Sequence, residues 1–438
     1  SLVHMYAKCG FLLEAQEIFN ELPIKDVITW TALISGYAEN GNTLVALKYL
    51  KQMQANGLHL DGNTFVCCLK GCGNPESLGI GQEIHHEIVR QDLLGEDNSL
   101  GTALMDMYAK CGALTKAHEV FDELPTQDVV SWSVLIAGYN QHGCGEEALT
   151  CFEHMQHKGV SPNAFTFGCL LKACIMIGSL KIGEEIDGEI RQMGLLEDNV
   201  VLGTSLVDMY AKFGVMWKAR QVFDEMPARN VITWNALISG YVHHGLGNEA
   251  IMCFEHMKDE GSSPNVVTFS CVLKACGNTG VVFKGKQIHT KIVSEDLLEE
   301  ENVVNALVNM YVKCGAFLEA QRLFGKLSEQ DVISWNTLIA GYAQHGSLHQ
   351  TAECINIMIN QGLRPNHVIF SSILVACCHS GLLKEGHLFF RIMAEHHDVA
   401  PCIDHYASML DLLSRSGYLK EASGFIQGMP MPPNVVML

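Results

Sequence analysis

The sequence lacks the features that mark membrane proteins, metal sites or linked domains. Its longest apolar runs contain a lysine or a glycine, and none reaches the ~18 residues that a membrane span needs. No two cysteines have the C-x-x-C spacing of common zinc sites. Proline is scarce, at 11 of 438 residues, and no Pro-, Gly- or Ser-rich linker divides the chain. We therefore expect a soluble protein of continuous architecture, with no membrane span and no metal.

Catalytic signatures are also missing. No nucleophile with a neighbouring base, no Gly-rich phosphate loop and no pair of catalytic carboxylates stands out. The 20 histidines recur at equivalent places, which favours helix ends and surface positions over an acid–base role. Examples are His142, His244 and His345 before a glycine, and His85 and His289 elsewhere. We predict that the chain is not an enzyme and needs no cofactor.

What the chain does contain is one stretch, V-I-T-W-N-A-L-I-S-G-Y in its third copy, that occurs four times. The copies begin at Val27, Val129, Val231 and Val332. Their tryptophans, from Trp30 to Trp335, are separated by 102, 102 and 101 residues. Spacing this regular predicts a repeat array, whose units stack because none can bury its apolar face alone.

Each repeat period divides into three units, of 35 residues, of 35 or 36 residues, and of about 31 residues. Residues 1–26 are the tail of a short unit, so the sequence opens inside a repeat. The complete units are 27–61, 62–97, 98–128, 129–163, 164–199, 200–230, 231–265, 266–300, 301–331, 332–366, 367–402 and 403–434. Residues 435–438 remain.

Each unit is predicted to form two helices. In unit 231–265, apolar residues keep the i, i+3, i+4, i+7 spacing of one helix face: Trp234, Leu237, Ile238 and Tyr241. We expect Gly245 and Gly247 to end this helix, and Gly261 and Pro264 to end the second one. The predicted fold is an all-α solenoid.

Most of the 17 cysteines follow the repeat, which favours small buried packing residues in a reducing compartment. They precede a glycine or end an apolar run. The recurring positions are Cys9, Cys111 and Cys314, and Cys72, Cys174, Cys276 and Cys377.

The order of these motifs resembles that of the plant pentatricopeptide repeat (PPR) proteins of the P-L-S subclass. The motifs are W-N-A-L-I-S-G-Y, L-K-A-C and M-Y-A-K-C-G, which recur in a fixed order over four triplets. The resemblance covers essentially the whole chain and implies a right-handed superhelical solenoid of helix-turn-helix repeats. It makes the three unit lengths P, L and S units, and residues 435–438 the start of a truncated C-terminal extension.

Two positions of the units carry the candidate functional residues. The fifth residue varies while its neighbours stay fixed, and it lies about 100° round the helix from the preceding residue, off the buried stripe. The last residue is Asp, Asn or Glu, and capping of the next helix is the alternative explanation for it. The resemblance implies that the pair reads one RNA base per unit. The pairs are Thr31 and Asp61, Thr102 and Asp128, Ser133 and Asn163, Thr204 and Asn230, Asn235 and Asn265, Asn305 and Asp331, and Asn336 and Asn366.

The same resemblance assigns bases to these pairs. Thr with Asp favours G, Thr or Ser with Asn favours A, Asn with Asp favours U, and Asn with Asn favours a pyrimidine, usually C. From 5′ to 3′, units 27–434 predict G, any, G, A, any, A, C or U, any, U, C, any, any. Aliphatic residues at the second position would wedge against the bases: Ile28, Val130, Val201, Ile232 and Ile333.

The net charge of −19 is the opposite of the basic footprint expected of a nucleic-acid binder. Over the first fourteen positions of the units, however, eight Lys or Arg accompany six acids, so the excess acid lies on second helices and connectors. We expect a near-neutral concave face on which Lys110, Lys212 and Lys313 contact phosphates. Their interaction with the helix dipole is the alternative.

The resemblance implies a monomeric specificity factor that binds single-stranded RNA in a mitochondrion or chloroplast. It would select a site for RNA processing such as C-to-U editing, with a deaminase or another editing factor as protein partner. A protein-interaction scaffold like the tetratricopeptide repeats is the alternative, because W-x-x-L is partly shared. Those repeats keep a uniform length of 34, whereas the unit lengths here alternate.

Overall fold

The computed structural model describes residues 2–58, 60–94, 98–197, 199–327, 330–396 and 399–430. Within these residues the chain forms 26 α-helices and two short 3-10 helices, and it has no strand. The predicted all-α fold is therefore confirmed. The helices group into two compact bodies, Ser1–Ala228 and Arg229–Leu438. The predicted extension at residues 435–438 lies outside the described residues.

The N-terminal body contains fourteen described α-helices. They are α1 (Leu2–Lys8), α2 (Leu12–Glu21), α3 (Val27–Glu39), α4 (Thr43–Ala55), α5 (Gly62–Gly71), α6 (Leu78–Arg90), α7 (Asn98–Lys110), α8 (Leu114–Glu123), α9 (Val129–Gln141), α10 (Gly145–His157), α11 (Ala164–Ile177), α12 (Leu180–Gln192), α13 (Val200–Lys212) and α14 (Met216–Glu225). A 3-10 helix, Pro75–Ser77, precedes α6.

The C-terminal body contains twelve described α-helices. They are α15 (Val231–His243), α16 (Gly247–Asp259), α17 (Val266–Thr279), α18 (Val282–Ser294), α19 (Glu301–Lys313), α20 (Phe317–Phe324), α21 (Val332–Gln344), α22 (Leu348–Asn360), α23 (His367–Ser380), α24 (Leu383–His396), α25 (Ile403–Arg415) and α26 (Leu419–Gln427). A 3-10 helix, Leu297–Glu299, precedes α19. No helix among the described residues is long and apolar enough to cross a membrane.

The helices form two rows within each body. Within each body, every odd-numbered helix packs against the next odd-numbered helix of that body and against the even-numbered helix that follows it in the chain. In the N-terminal body, for example, α9 contacts α7, α10 and α11. The odd-numbered helices, here called first helices, therefore make a continuous row in each body, and the even-numbered second helices cover one side of it.

Three aromatic pairs each join a short unit to the 35-residue unit that follows it within the same body. Phe121 of α8 packs edge-on against Trp132 of α9, with ring centroids 4.5 Å apart. The equivalent rings of Phe19 and Trp30 lie 4.7 Å apart, and those of Phe324 and Trp335 lie 4.6 Å apart. Because these large side chains are buried between hairpins, each unit depends on its neighbour for its core.

One glycine departs from the sequence-based expectation. Gly245 has φ +74° and ends the first helix as predicted. Gly247 does not end that helix, because it is the first residue of α16. A Cβ at Gly247 would lie 2.5 Å from Thr279 Cγ2 and 3.3 Å from the Ala275 carbonyl oxygen. The glycine is needed for the close approach of α16 to the next unit.

The recurring cysteines mostly occupy the buried sites predicted for them. Cys72, Cys174, Cys276 and Cys377 have no exposed surface. Burial raises the pKa of the Cys72 thiol to about 12, which makes it an inert packing group. Cys9 differs, because it lies exposed at the end of α1.

Candidate nucleic-acid interface

The second, fifth and ninth residues of each first helix lie on one stripe, here called the reading face. Steps of three and four residues return to the same side of a helix. In α3 these residues are Ile28, Thr31 and Ser35. Ile28 is 72% exposed, whereas Trp30 of the same helix is only 4% exposed. The reading face therefore presents polar and aliphatic side chains to solvent, while the framework residues pack inward.

Two surface pockets on the reading face of the N-terminal body coincide with predicted base-reading pairs. The first, of about 460 Å³, is lined by Ile28, Thr31 and Asp61, among others. The second has a volume of about 540 Å³. Its lining includes Thr102, Asp128, Val130 and Lys70. Both pockets bring a fifth residue together with a last residue. The second pocket also contains Val130, the aliphatic second residue of the next unit.

The last residue of a unit caps the next first helix. Asp61 Oδ1 accepts the backbone N–H of Thr64 at 2.9 Å, and Asn163 Oδ1 accepts that of Thr166 at 2.9 Å. The same cap is made by Asp128, Asn199, Asn230, Asn265, Asp331 and Asn366. Glu300 makes no such side-chain bond, and Asp97 lies outside the described residues.

The last residues of the units therefore do cap the next helix, but capping does not exclude a second role for their side chains. A cap uses one side-chain oxygen of the Asp or Asn. The other polar atom, a carboxylate oxygen or an amide nitrogen, is not needed for the cap. Because the cap holds the side chain in one orientation, it also fixes where that second atom points.

The hydroxyls at the fifth position donate to the backbone one turn earlier in the same helix. The donor–acceptor distances are 2.8 Å from Thr31 to Val27, 2.8 Å from Thr102 to Asn98, 2.6 Å from Ser133 to Val129 and 2.7 Å from Thr204 to Val200. A hydroxyl has one proton, so these oxygens have only lone pairs to offer to a further partner.

A third residue joins the two members of a pair, and sequence reasoning missed it. Thr64, the third residue of the next unit, lies 2.8 Å from Thr31 between hydroxyl oxygens and also bonds Asp61. Thr166 bridges Ser133 at 2.6 Å and Asn163 at 3.0 Å in the same way. The signal was present in the sequence, because Thr64, Thr166 and Thr268 occupy equivalent positions of successive L units.

The bridge brings Asn235 and Asn265 into direct contact. Asn235 Nδ2 donates to Asn265 Oδ1 at 3.0 Å, and Thr268 Oγ1 donates to Asn235 Oδ1 at 2.6 Å. Asn235 is only 8% exposed, whereas Asn265 is exposed. Two residues that are 30 apart in the sequence thus form one polar unit at the edge of the reading face.

The fourth P unit lacks this bridge. Ile369 stands where the other L units have threonine, and it is fully buried. Asn366 still caps the helix, accepting the N–H of Ile369 at 3.2 Å. Asn336 Oδ1, however, is buried and has no hydrogen-bond partner among the described residues. The structure therefore distinguishes two Asn–Asn pairs that look alike in the sequence.

The predicted aliphatic wedges are exposed. Ile28, Val130, Val201, Ile232 and Ile333 are between 52% and 74% exposed. Sequence reasoning missed three further apolar residues at the second position of L units. These are Phe165, Val267 and Val368, exposed by 59%, 53% and 38%. An exposed apolar residue recurs beside most reading pairs, as expected if it contacts something apolar and flat such as a base.

The three lysines predicted to contact phosphates already have partners. Lys110 pairs with Asp106 at 2.6 Å and Lys212 pairs with Asp208 at 3.0 Å, each one turn away on the same helix. Lys313 Nζ donates to Asn278 Oδ1 at 2.7 Å. The two aspartate pairs reduce the positive charge that Lys110 and Lys212 present, whereas the Asn278 amide leaves the charge of Lys313 in place.

Three other lysines are better placed to meet a phosphate. Lys70, Lys172 and Lys274 are the ninth residues of L units, so they lie on the reading face itself. All three are exposed, and none forms a hydrogen bond or ion pair with another described residue. Lys70 also lines the pocket that contains Thr102 and Asp128.

The carboxylate of Asp128 is held in its charged form. Burial raises its pKa, but hydrogen bonds from Ser131, Asn98 and the backbone N–H of Val130 together lower the pKa by more than burial raises it. The net effect is a pKa below the ordinary value for aspartate, so at neutral pH this side chain only accepts hydrogen bonds.

The recurring histidines have structural partners. His85 Nδ1 lies 2.8 Å from the Tyr108 hydroxyl, and His289 Nδ1 lies 2.9 Å from that of Tyr311. Both histidines are half-buried, so the expectation that they are surface residues is wrong. Burial lowers the pKa of each imidazole. Among the described residues no group of three or more His, Cys, Asp or Glu side chains could hold a metal ion.

Two family models match the chain and together cover well over half of it. The PPR repeat family matches residues 25–74, 127–176, 229–278 and 330–379. The PPR repeat model matches residues 1–27, 102–129, 204–231, 303–332 and 368–397.

Curated relatives from Arabidopsis thaliana match along the full length of the chain. Pentatricopeptide repeat-containing protein DOT4, chloroplastic, is 37% identical over 438 residues, which cover 100% of this chain and 50% of that protein. Pentatricopeptide repeat-containing protein At3g02330, mitochondrial, is 34% identical over 453 residues, covering 99% and 50%. The chain spans about half to two thirds of the length of the relatives it matches.

A solved structure has the same fold. The pentatricopeptide repeat protein PPR10, in complex with an 18-nt psaJ RNA element, superimposes with a TM-score of 0.82. The match covers 96% of this chain and 62% of that one, at 21% sequence identity.

Proposed function

This chain belongs to the pentatricopeptide repeat family, and from the geometry of its reading face we propose that it binds single-stranded RNA with one base per unit. The observation that carries the proposal is the polar pair at the fifth and last positions, tied by a hydroxyl and flanked by exposed aliphatic residues. Single-stranded bases expose the Watson–Crick edges that such pairs can read.

Two acceptors facing a base favour guanine. In units 27–61 and 98–128 the fifth-position hydroxyl has given its proton to the backbone, and the last residue is a carboxylate. The Watson–Crick edge of guanine offers two adjacent donors, N1–H and N2–H. The hydrogen-bonding state of Thr31 with Asp61, and of Thr102 with Asp128, therefore supports the assignment of G.

One acceptor with one amide favours adenine. Ser133 donates its proton to Val129, which leaves a lone pair, and Asn163 has an amide nitrogen that its cap does not use. Adenine offers a donor at N6 and an acceptor at N1. Thr204 and Asn230 have the same residue chemistry, so we assign A to both units. Asn305 with Asp331 would satisfy the flanking acceptor and central donor of uracil.

The L units are expected to discriminate weakly. Their fifth residues include Val66 and Gly168, which have no polar side-chain atom. The third residue of the S unit that follows is apolar in three of four cases, Leu100, Leu202 and Val303, so a bridging hydroxyl is replaced there by hydrocarbon. These units would act as spacers that stack on bases without selecting them.

Backbone binding would come from the L-unit lysines more than from the S-unit lysines. Lys70, Lys172 and Lys274 are exposed and unpaired within the described residues, whereas Lys110 and Lys212 are neutralised by aspartates. A few phosphate contacts on an otherwise acidic protein would make RNA binding only moderately sensitive to salt.

We also propose that the chain is of the P-L-S subclass, is monomeric, acts in an organelle, and serves RNA processing such as C-to-U editing with a deaminase in trans. The alternating unit lengths support the subclass, and the relatives named chloroplastic and mitochondrial support an organelle, whereas the monomeric state, the editing role and the deaminase come from the family resemblance alone. Transcript sequencing in plants lacking the protein tests it. A cytidine left unedited beside a match to the predicted bases is expected, and fully edited organellar transcripts would contradict the role.

Exchanging the fifth residues of two units should exchange the bases that those units prefer. Units 129–163 and 231–265 both end in Asn and both have a bridging threonine, so they differ at this site in Ser133 against Asn235. In the double variant Ser133→Asn, Asn235→Ser we expect preference for a pyrimidine at the fourth nucleotide and A at the seventh. Binding titrations at about 0.15 M salt should show roughly tenfold discrimination for each RNA.

The original RNA serves as the control for this exchange. The unmodified protein should prefer A at the fourth nucleotide and a pyrimidine at the seventh, and the variant should reverse both preferences while keeping G at the first. If a folded protein binds no RNA, or binds all of these RNAs equally, the base-reading proposal is wrong and the scaffold alternative takes precedence.

Removing the L-unit lysines should weaken binding without changing specificity. In the variant Lys70→Gln, Lys172→Gln, Lys274→Gln, the slope of log K against log salt should become shallower by about 2, since each phosphate contact on a single strand contributes about 0.7. Affinity should fall equally for matched and mismatched RNA. A matched control removes three second-helix lysines that pair with acids, Lys116, Lys181 and Lys286. An equal effect of both triple variants would contradict the assignment.

A further inference from the structure

Two units carry the same base-reading pair and would be assigned the same base class. Unit 231–265 has Asn235 with Asn265, and unit 332–366 has Asn336 with Asn366. Their surroundings differ three residues into the helix that follows, where Thr268 in one unit corresponds to Ile369 in the other. Both of these residues are fully buried, so the difference lies beneath the reading face.

In the first unit both amide oxygens are occupied. Asn235 Oδ1 accepts the hydroxyl proton of Thr268 at 2.6 Å. Asn265 Oδ1 accepts the N–H of Thr268 and one N–H of Asn235, both at 3.0 Å. The groups left over are one N–H of Asn235 and the two N–H groups of the exposed Asn265 amide. This pair therefore presents hydrogen-bond donors.

In the second unit the corresponding oxygen, Asn336 Oδ1, accepts no hydrogen bond within the described part of the chain. Ile369 has no hydroxyl to donate, and Asn336 Oδ1 has no partner among the described residues although it is buried. Nothing in the described contacts holds the Asn336 amide in one orientation, and Asn366 accepts only the N–H of Ile369. An orphaned buried carbonyl gains by finding a donor, because its desolvation is otherwise uncompensated. Because no described contact holds the Asn336 amide, turning it outward would satisfy this oxygen, so that the pair can offer an acceptor at the surface.

The two pyrimidines differ in what they present to such pairs. Besides its N4 amino donor, cytosine offers two adjacent acceptors, N3 and O2, whereas uracil has a donor, N3–H, between two carbonyl acceptors. A donor-only pair is complementary to cytosine and places an N–H against an N–H of uracil. A pair with a free carbonyl can satisfy the N3–H of uracil.

We propose that the third residue of the L unit is a positioning residue that decides which pyrimidine an Asn–Asn pair selects. Thr268 holds Asn235 with its N–H outward, so that unit 231–265 selects cytosine over uracil. Ile369 releases Asn336, so that unit 332–366 accepts uracil at least as well as the cytosine that the family resemblance assigns to it. The inference rests on the proposed RNA-reading function and adds a residue that does not itself touch the base.

The test uses the full chain and RNAs carrying C or U at the seventh or the tenth nucleotide, opposite these two units. The unmodified protein should bind C over U by roughly fivefold or more at the seventh nucleotide, and should show no preference for C at the tenth. Thr268→Val keeps the shape and removes the hydroxyl, so it should abolish the preference at the seventh. Thr268→Ser keeps the hydroxyl and should retain it.

The reciprocal variant keeps the test independent of any instability caused by Thr268→Val. Ile369→Thr adds the missing donor and should create a preference for C over U at the tenth nucleotide, of similar size. A purely structural role for the third residue would change the affinity for both RNAs equally and leave the C-to-U ratio unchanged.

An internal control separates this inference from the proposed function. Replacing G by A at the first nucleotide, opposite Thr31 and Asp61, should weaken binding in every variant. If that discrimination persists while the C-to-U ratios ignore Thr268 and Ile369, the positioning role is wrong and RNA reading stands. If no base is discriminated at any position, both proposals are overturned.

Discussion

The helix cap at each unit junction is the interaction on which the reading face depends. An Asp or Asn at the end of one unit accepts the first free N–H groups of the next helix, which fixes where that helix begins. The same side chain then has one polar atom at the surface, beside the fifth residue of its own unit. If the proposed base reading is right, one residue serves both stability and base reading, and Asp and Asn are suited to both roles.

A second constraint is the buried threonine hydroxyl that connects the capping residue to the fifth residue. The hydroxyls of Thr64, Thr166 and Thr268 each lie within hydrogen-bond distance of both the capping residue and the fifth residue, with one proton to donate between the two. Buried polar groups are stabilising only when their partners are complete. Where Ile369 removes the donor, Asn336 Oδ1 becomes the one orphaned oxygen among the predicted base-reading residues that the structure describes. The hydrogen bonds available on the reading face therefore depend partly on residues that are buried beneath it.

The sequence was sufficient for the helices and for the exposure of the candidate residues, because both follow from periodicity. Val231 begins a helix after Asn230, and Ile232 is exposed while Trp234 is buried, as the three- and four-residue spacing predicts. Side-chain contacts between units were not predicted, since Thr268 and Asn235 are 33 residues apart and their contact depends on how hairpins stack. The ion pair of Lys110 with Asp106 could have been predicted from their four-residue spacing. From the sequence, Lys110 is instead predicted to contact a phosphate.

Selection of bound RNAs from a fully random single-stranded pool would show whether successive units read successive bases. We expect a motif that begins G, any, G, A, any, A and continues with a pyrimidine, with uninformative positions opposite the L units 62–97 and 164–199. Enrichment of no sequence, or informative positions that do not follow this three-unit phase, would contradict it.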